Sequence, residues 1–151
     1  MARSSTAKPT ASATMVCRDG EVRGAVRRTF SPGRNAHRAE HWSAAPRLLT
    51  CSYALRGGPL VLSVQDAVDA ASGHAYFGRL RRHLAAHRIA GMESLGLPGY
   101  ETAAGDVLFL KDGKTLHVDA TRVRAASLPD GYDRSDAAYA IASAVLACWS
   151  E

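Results

Sequence analysis

The residues of this chain that could do chemistry are few: three cysteines, six histidines and fourteen carboxylates among 151 residues. His117 and Asp119 stand two apart in His117-Val118-Asp119. On a strand that spacing puts both side chains on one face, as a base and its orienting carboxylate would need. No Gly-x-Ser-x-Gly elbow accompanies them, so a polar pair on a sheet surface is the expectation. His83 and His87 are four apart, the spacing by which two imidazoles on a helix share a metal. No Glu follows His83 and no third ligand is placed, so solvated surface is expected there. Gly57-Gly58 and Gly96-Leu97-Pro98-Gly99 match neither phosphate-loop nor dinucleotide fingerprints and read as turns. From these residues no catalytic group, cofactor site or metal site is expected. The surface left for a ligand or partner is a sheet face or the loop SLGLPGYET, with Leu97, Tyr100, His117 and Asp119 as candidates.

The elements that must position these residues follow from periodicity. Leu49, Cys51, Tyr53 and Leu55 alternate with Thr50, Ser52 and Ala54, and Leu60, Leu62 and Val64 alternate again after Arg56-Gly57-Gly58-Pro59. Alternating runs joined through Gly-Gly predict a hairpin. Residues 107–110 and 115–118 flank Lys111-Asp112-Gly113-Lys114, and Asp-Gly supplies the positive φ angles of a two-residue type I′ turn. That turn sets Lys111 against Lys114, Phe109 against Leu116 and Val107 against Val118. Leu108, Leu110, Thr115 and His117 then share the other face, which a helix or loop should partly cover. A short strand is expected near Tyr100. Helices are predicted over Cys17 to Phe30, with Val22, Ala25 and Val26 inward, and over 73–87, with Phe77, Leu80 and Leu84 inward. The last helix should start from a cap at Asp133 or Ser135 and bury Ile141, Val145 and Cys148. Residues 31–47 lack periodicity and read as a loop, with Trp42 folded back onto the domain. The whole reads as an α+β domain, a mainly antiparallel sheet flanked by helices in the order α-β-β-α-β-β-β-α.

Charge and size bound the partners. Residues 1–50 carry nine Lys and Arg against three acids, whereas residues 51–151 carry ten against eleven. A basic leader on a nearly neutral body could touch nucleic acid or anionic lipid. Aromatic residues do not interleave with the early basic ones, so nucleic acid is disfavoured. Residues 1–14 have no apolar side chain larger than Ala after Met1 and are expected to form a disordered tail. Residues 15–151 are then one domain, large enough to bury a sizeable core. No stretch has the length of a secretory h-region or a membrane span, so the chain as it stands is expected in the cytosol.

A resemblance points elsewhere. Met15-Val16-Cys17, LTCSYAL (49–55), GPLVLSV (58–64), SLGLPGYET (94–102), VLFLKDGKTLHVDAT (107–121) and ACWSE (147–151) together resemble a group of small actinobacterial secreted proteins and lipoproteins. The resemblance covers residues 15–151. It implies a PsbP-like α+β sandwich, exported and often lipid-anchored, with no established enzymatic activity. This chain departs from the group in having no signal peptide or lipobox cysteine at its start. Three cysteines allow three single pairings on sequence alone. In the setting that the resemblance implies, Cys17 to Cys51 is the expected pair, and three reduced thiols are the alternative for a cytosolic protein. Cys148 on the last helix is expected to be an inert buried thiol.

Two functional readings result. The first is a non-enzymatic, cell-envelope binding or accessory protein with an unidentified protein or small-molecule partner. The second is a small cytosolic enzyme or regulator with a site near His117, Asp119 and Tyr100.

Overall fold

The computed structural model describes residues 8–30, 37–90 and 97–149. The helices are α1 (Ala11–Arg18), α2 (Gly20–Phe30), α3 (Ala70–Leu84) and α4 (Arg134–Trp149). The strands are β1 (His37–Ser43), β2 (Leu48–Leu55), β3 (Gly58–Asp66), β4 (His87–Arg88), β5 (Gly99–Glu101), β6 (Asp106–Lys111) and β7 (Lys114–Asp119). The strands form one antiparallel sheet in the order β1-β2-β3-β7-β6-β5-β4. Two meanders therefore meet at the β3–β7 pairing, and the chain between them passes through α3. This is the α+β architecture that the periodicities predict.

Both hairpins form. Leu55 pairs Gly58 across Arg56-Gly57, so the first turn uses Arg56 and Gly57. In the second, Lys111 pairs Lys114, Phe109 pairs Leu116 and Val107 pairs Val118, as the Asp-Gly turn requires. Asp112 and Gly113 take φ angles of 52° and 77°.

One sheet face carries the main core. Leu49, Cys51, Tyr53, Leu60, Leu62, Val64, Val107, Phe109, Leu116 and Val118 point from it and are buried. They are covered by α1 over β2 and β3 and by α4 over β6 and β7, with α2 packed on α4. Ile141, Val145 and Cys148 do line the buried stripe of α4. The cap of α4 is Asp133, whose Oδ1 accepts from the Asp136 amide at 2.8 Å while Asp136 Oδ2 accepts from the Asp133 amide at 3.0 Å. Ser135 instead donates to the Thr102 carbonyl. The opposite face has a smaller core, where Phe77 and Ala86 pack on Leu108 and Leu110, with Leu80, Leu84 and Tyr100 at its margin.

Three expectations need correction. Residues 11–14 are not tail but the first turn of α1, and Ala13 is fully buried. Thr10 caps that helix through the Ala13 amide, and the Thr10 amide donates to Asp66 Oδ2 at 3.0 Å. Small side chains let this first turn lie close to the sheet, so Ala13 is buried without a large apolar group, while Val16 and Cys17 bury the next turn; residues 1–7 lie outside the described residues. The predicted helix Cys17–Phe30 is two helices, because Asp19 is extended (ψ 135°) and ends α1. Part of the predicted loop 31–47 is the edge strand β1, while residues 31–36 lie outside the described residues. Arg38, Glu40 and Trp42 of β1 share the main-core face with Cys51, Leu49 and Tyr53. Trp42 is half-buried against that core, as expected, and Arg38 donates to the Cys17 carbonyl. Glu40 pairs with Arg18 at 2.6 Å.

The chain's first and last described helices are joined directly. Trp149 Nε1–H donates to the Ser12 carbonyl at 2.8 Å, and the Cys148 thiol donates to Asp19 Oδ1 at 3.4 Å. Cys17 and Cys51, both nearly fully buried, face each other at disulfide distance, their Cα atoms 5.7 Å apart.

Candidate functional site

The β6–β7 hairpin places the site. Its register sets Asp106 opposite Asp119 and Leu108 opposite His117. Alternation along each strand sends Asp106, His117 and Asp119 to the α3 side of the sheet. There the ligand atoms of the three side chains lie within 4.8 Å of one another. His117 Nε2 is 2.8 Å from Asp106 Oδ1, with the His117 side chain 17% exposed and that of Asp106 7% exposed. With Asp106 ionised, Nε2–H is the donor and Nδ1 is the nitrogen left for another partner.

Each carboxylate is oriented by a threonine. Thr102 Oγ1 donates to Asp106 Oδ2 at 2.7 Å and accepts from the Asp106 amide at 3.1 Å. Asp119 Oδ1 accepts from the Thr121 amide at 2.9 Å and from Thr121 Oγ1 at 2.6 Å. The turn between Thr102 and Asp106 depends on Gly105, whose φ is 121°; a Cβ there would come within 2.7 Å of Arg134 Cβ. Burial by itself would raise the Asp106 carboxyl. The hydrogen bonds from His117 and Thr102 and the charge of the imidazole outweigh it and hold Asp106 below its ordinary range. Among the described residues no Lys or Arg pairs with Asp106 or Asp119.

The sequence-predicted candidates separate. His117 and Asp119 share a strand face, as expected, but the carboxylate that orients His117 is Asp106, which the sequence reading did not include. Its signal lay in the hairpin register: one more step beyond Val107–Val118 sets residue 106 against Asp119. Tyr100 faces the same side two strands from His117, roughly 10 Å away. Its ring packs on Phe77 at 5.7 Å between centroids, with the Arg81 guanidinium 5.1 Å over it, so it belongs to the small core. Leu97 packs against the main core and borders a shallow cleft of about 460 Å³ with His74, Pro98 and Gly113. That cleft lies at the Asp112-Gly113 end of the hairpin, about 20 Å along the strands from Asp106. Residues 94–96 of the SLGLPGYET loop lie outside the described residues.

His83 and His87 do not share a helix face. α3 ends at Leu84 with Ala85 in the left-handed region (φ 53°), and His87 lies in β4, 3.8 Å from Glu101. No described helix is long and apolar enough to cross a membrane.

β1, β2 and β3 continue the face that carries His117. Ser63 stands directly opposite His117, Thr50 opposite Ser63 and His41 opposite Thr50. None of these contributes to the core under α3. The result is a row of two short hydroxyl side chains, Ser63 and Thr50, leading from the Asp106–His117–Asp119 cluster to His41 on the edge strand.

No family model, curated protein or solved structure matches this chain.

Proposed function

We propose that this protein is a non-enzymatic binding or accessory module of the cell envelope, acting outside the cytoplasm. The observation that carries the reading is the Cys17–Cys51 pair, held at disulfide distance in the main core. Structural disulfides persist in oxidising compartments and are rare where glutathione keeps thiols reduced. The resemblance to exported actinobacterial proteins and lipoproteins of PsbP-like fold supports the same compartment. The binding surface on this reading is the sheet face with His117, Asp119, Ser63 and Thr50, a rigid platform of short polar side chains. The experiment is differential alkylation of acid-quenched protein from its native source, read by mass spectrometry. Protection of Cys17 and Cys51 until reduction is expected; both thiols alkylated without reductant would remove the basis for the reading.

A second reading, a small cytosolic enzyme, draws on one specific feature: the carboxylate-oriented imidazole of His117 with the Ser63 hydroxyl opposite. Asp106, His117 and Ser63 have the residue types of an acyl-transfer triad. On that reading an activated ester is turned over above the imidazole background, and Ser63→Ala and His117→Gln each abolish the turnover. Background rates in the wild type would sink it.

A further inference from the structure

We propose that Asp106, His117 and Asp119 form a site for one divalent first-row metal cation, such as Zn²⁺ or Mn²⁺. This proposal does not depend on the compartment or on the binding reading above.

The first argument is charge. Asp106 and Asp119 are directly opposed across an antiparallel strand pair, an arrangement that like charges destabilise. Neither carboxylate has a Lys or Arg partner among the described residues. One imidazole can at most supply a single positive charge to two carboxylates. A divalent cation offsets both and lets the imidazole stay neutral, the form in which it ligates.

The second argument is geometry. Two ligand atoms each about 2.0–2.1 Å from one ion, at bond angles of roughly 90–110°, stand about 2.8–3.4 Å apart. His117 Nε2 and Asp106 Oδ1 are 2.8 Å apart, so a cation can replace the shared proton with a shift of at most a few tenths of an ångström. Asp119 closes the triangle within 4.8 Å, and Thr121 leaves its Oδ2 uncommitted. The hydroxyls of Thr102 and Thr121 orient both carboxylates from behind, the outer-shell support that metal ligands ordinarily have. All three ligands stand on paired strands or at their ends, which limits their freedom. Three protein ligands leave the remaining coordination positions toward the sheet face.

The third argument is ligand chemistry. One imidazole with two carboxylates suits Zn²⁺, Fe²⁺ or Mn²⁺, whereas Ca²⁺ prefers six to eight oxygens and Cu⁺ prefers sulfur.

The test uses the full chain, freed of metal by chelation and titrated separately with Zn²⁺, Mn²⁺ and Ca²⁺ by calorimetry. One equivalent of Zn²⁺ or Mn²⁺ should bind, with Ca²⁺ at least tenfold weaker. Asp119→Asn and His117→Gln should each weaken binding tenfold or more, and Thr121→Val should weaken it by a smaller factor. Should a variant fail to fold, histidine NMR of the wild type decides. Stoichiometric Zn²⁺ must move the His117 ring resonances ahead of those of the other five histidines, His37, His41, His74, His83 and His87. Absence of binding at millimolar metal, binding that survives both ligand variants, or a first response at another histidine would each overturn the proposal.

Discussion

Reduction of the Cys17–Cys51 pair should lower stability by an amount set mainly by the segment it closes. The two residues are 34 apart in sequence. In the chain-entropy model a cross-link over such a loop stabilises by about 3.5–4 kcal/mol at 25 °C. Both side chains are buried, so the reduced thiols stay in the core as small hydrophobic groups, and reduction isolates the cross-link from packing. Urea denaturation with and without reductant should show a midpoint lower by roughly 2 M after reduction, for an m-value near 2 kcal/mol/M. The double variant Cys17→Ala, Cys51→Ala loses two packed sulfur atoms as well, so its midpoint should fall at least as far. Replacement by Ser would confuse the measurement, because it places a hydroxyl in an apolar site. The effect should be felt first in α1, whose other ties to the sheet include the Arg18–Glu40 pair and the Thr10–Asp66 hydrogen bond. Amide exchange in residues 11–18 should therefore accelerate before that of β6 and β7. A midpoint change below 0.5 M, roughly 1 kcal/mol by the same m-value, would refute the reasoning.

Two glycines of α3 should respond oppositely to alanine. A Cβ on Gly73 would stand 2.9 Å from the Gly113 carbonyl oxygen and 3.0 Å from Gly113 Cα, both backbone atoms of the tight turn, so Gly73→Ala should cost about 1–2 kcal/mol net in urea denaturation. On Gly78 it would meet only the tip of Arg82 at 3.3 Å, and Gly78→Ala should stabilise by up to about 1 kcal/mol. Tyr53 is buried and its hydroxyl has no partner among the described residues, so Tyr53→Phe should be neutral or stabilising by up to about 1 kcal/mol at pH 7. Burial raises the Tyr53 phenol, against the charges of Arg38, Arg23 and Arg27. Its contribution is thus fully present below the unfolded phenol value of about 10 and is lost as pH rises through the higher folded value. Denaturation at pH 8 and pH 10.5 should show a wild-type decline that is smaller in Tyr53→Phe, with the absorbance at 295 nm reporting the late ionisation.

The parts of this fold that can be read from sequence are those in which local pattern and burial agree. The Asp112-Gly113 hairpin is legible because turn chemistry and alternation specify the same register, and α4 because its alanines and its Ile141–Val145–Cys148 stripe coincide. β1 is illegible for a physical reason. It pairs with one neighbour, and its inward positions Arg38, Glu40 and Trp42 meet α1 largely through polar contacts, so no apolar alternation marks it. The first turn of α1 is hidden by residue size, since Ala, Ser and Thr carry little hydrophobic signal although Ala13 is buried. Asp106 was within reach of the register argument but outside the apolar pattern that framed it. That α3 packs on β3, β6 and β7 rather than elsewhere on the sheet could not be foreseen, because its position depends on packing across the chain.

The bond between Trp149 and Ser12 sets an order on events during synthesis. α1 and α2 leave the ribosome first, yet α4, which packs on α2 and clasps α1, is made roughly a hundred residues later, on the order of 5–20 s at ordinary translation rates. Through that interval the buried stripe of α2, with Val22, Val26 and Phe30, has no α4 to cover it. Native closure of the main core therefore waits on α4: it cannot be completed until residue 149 has been made.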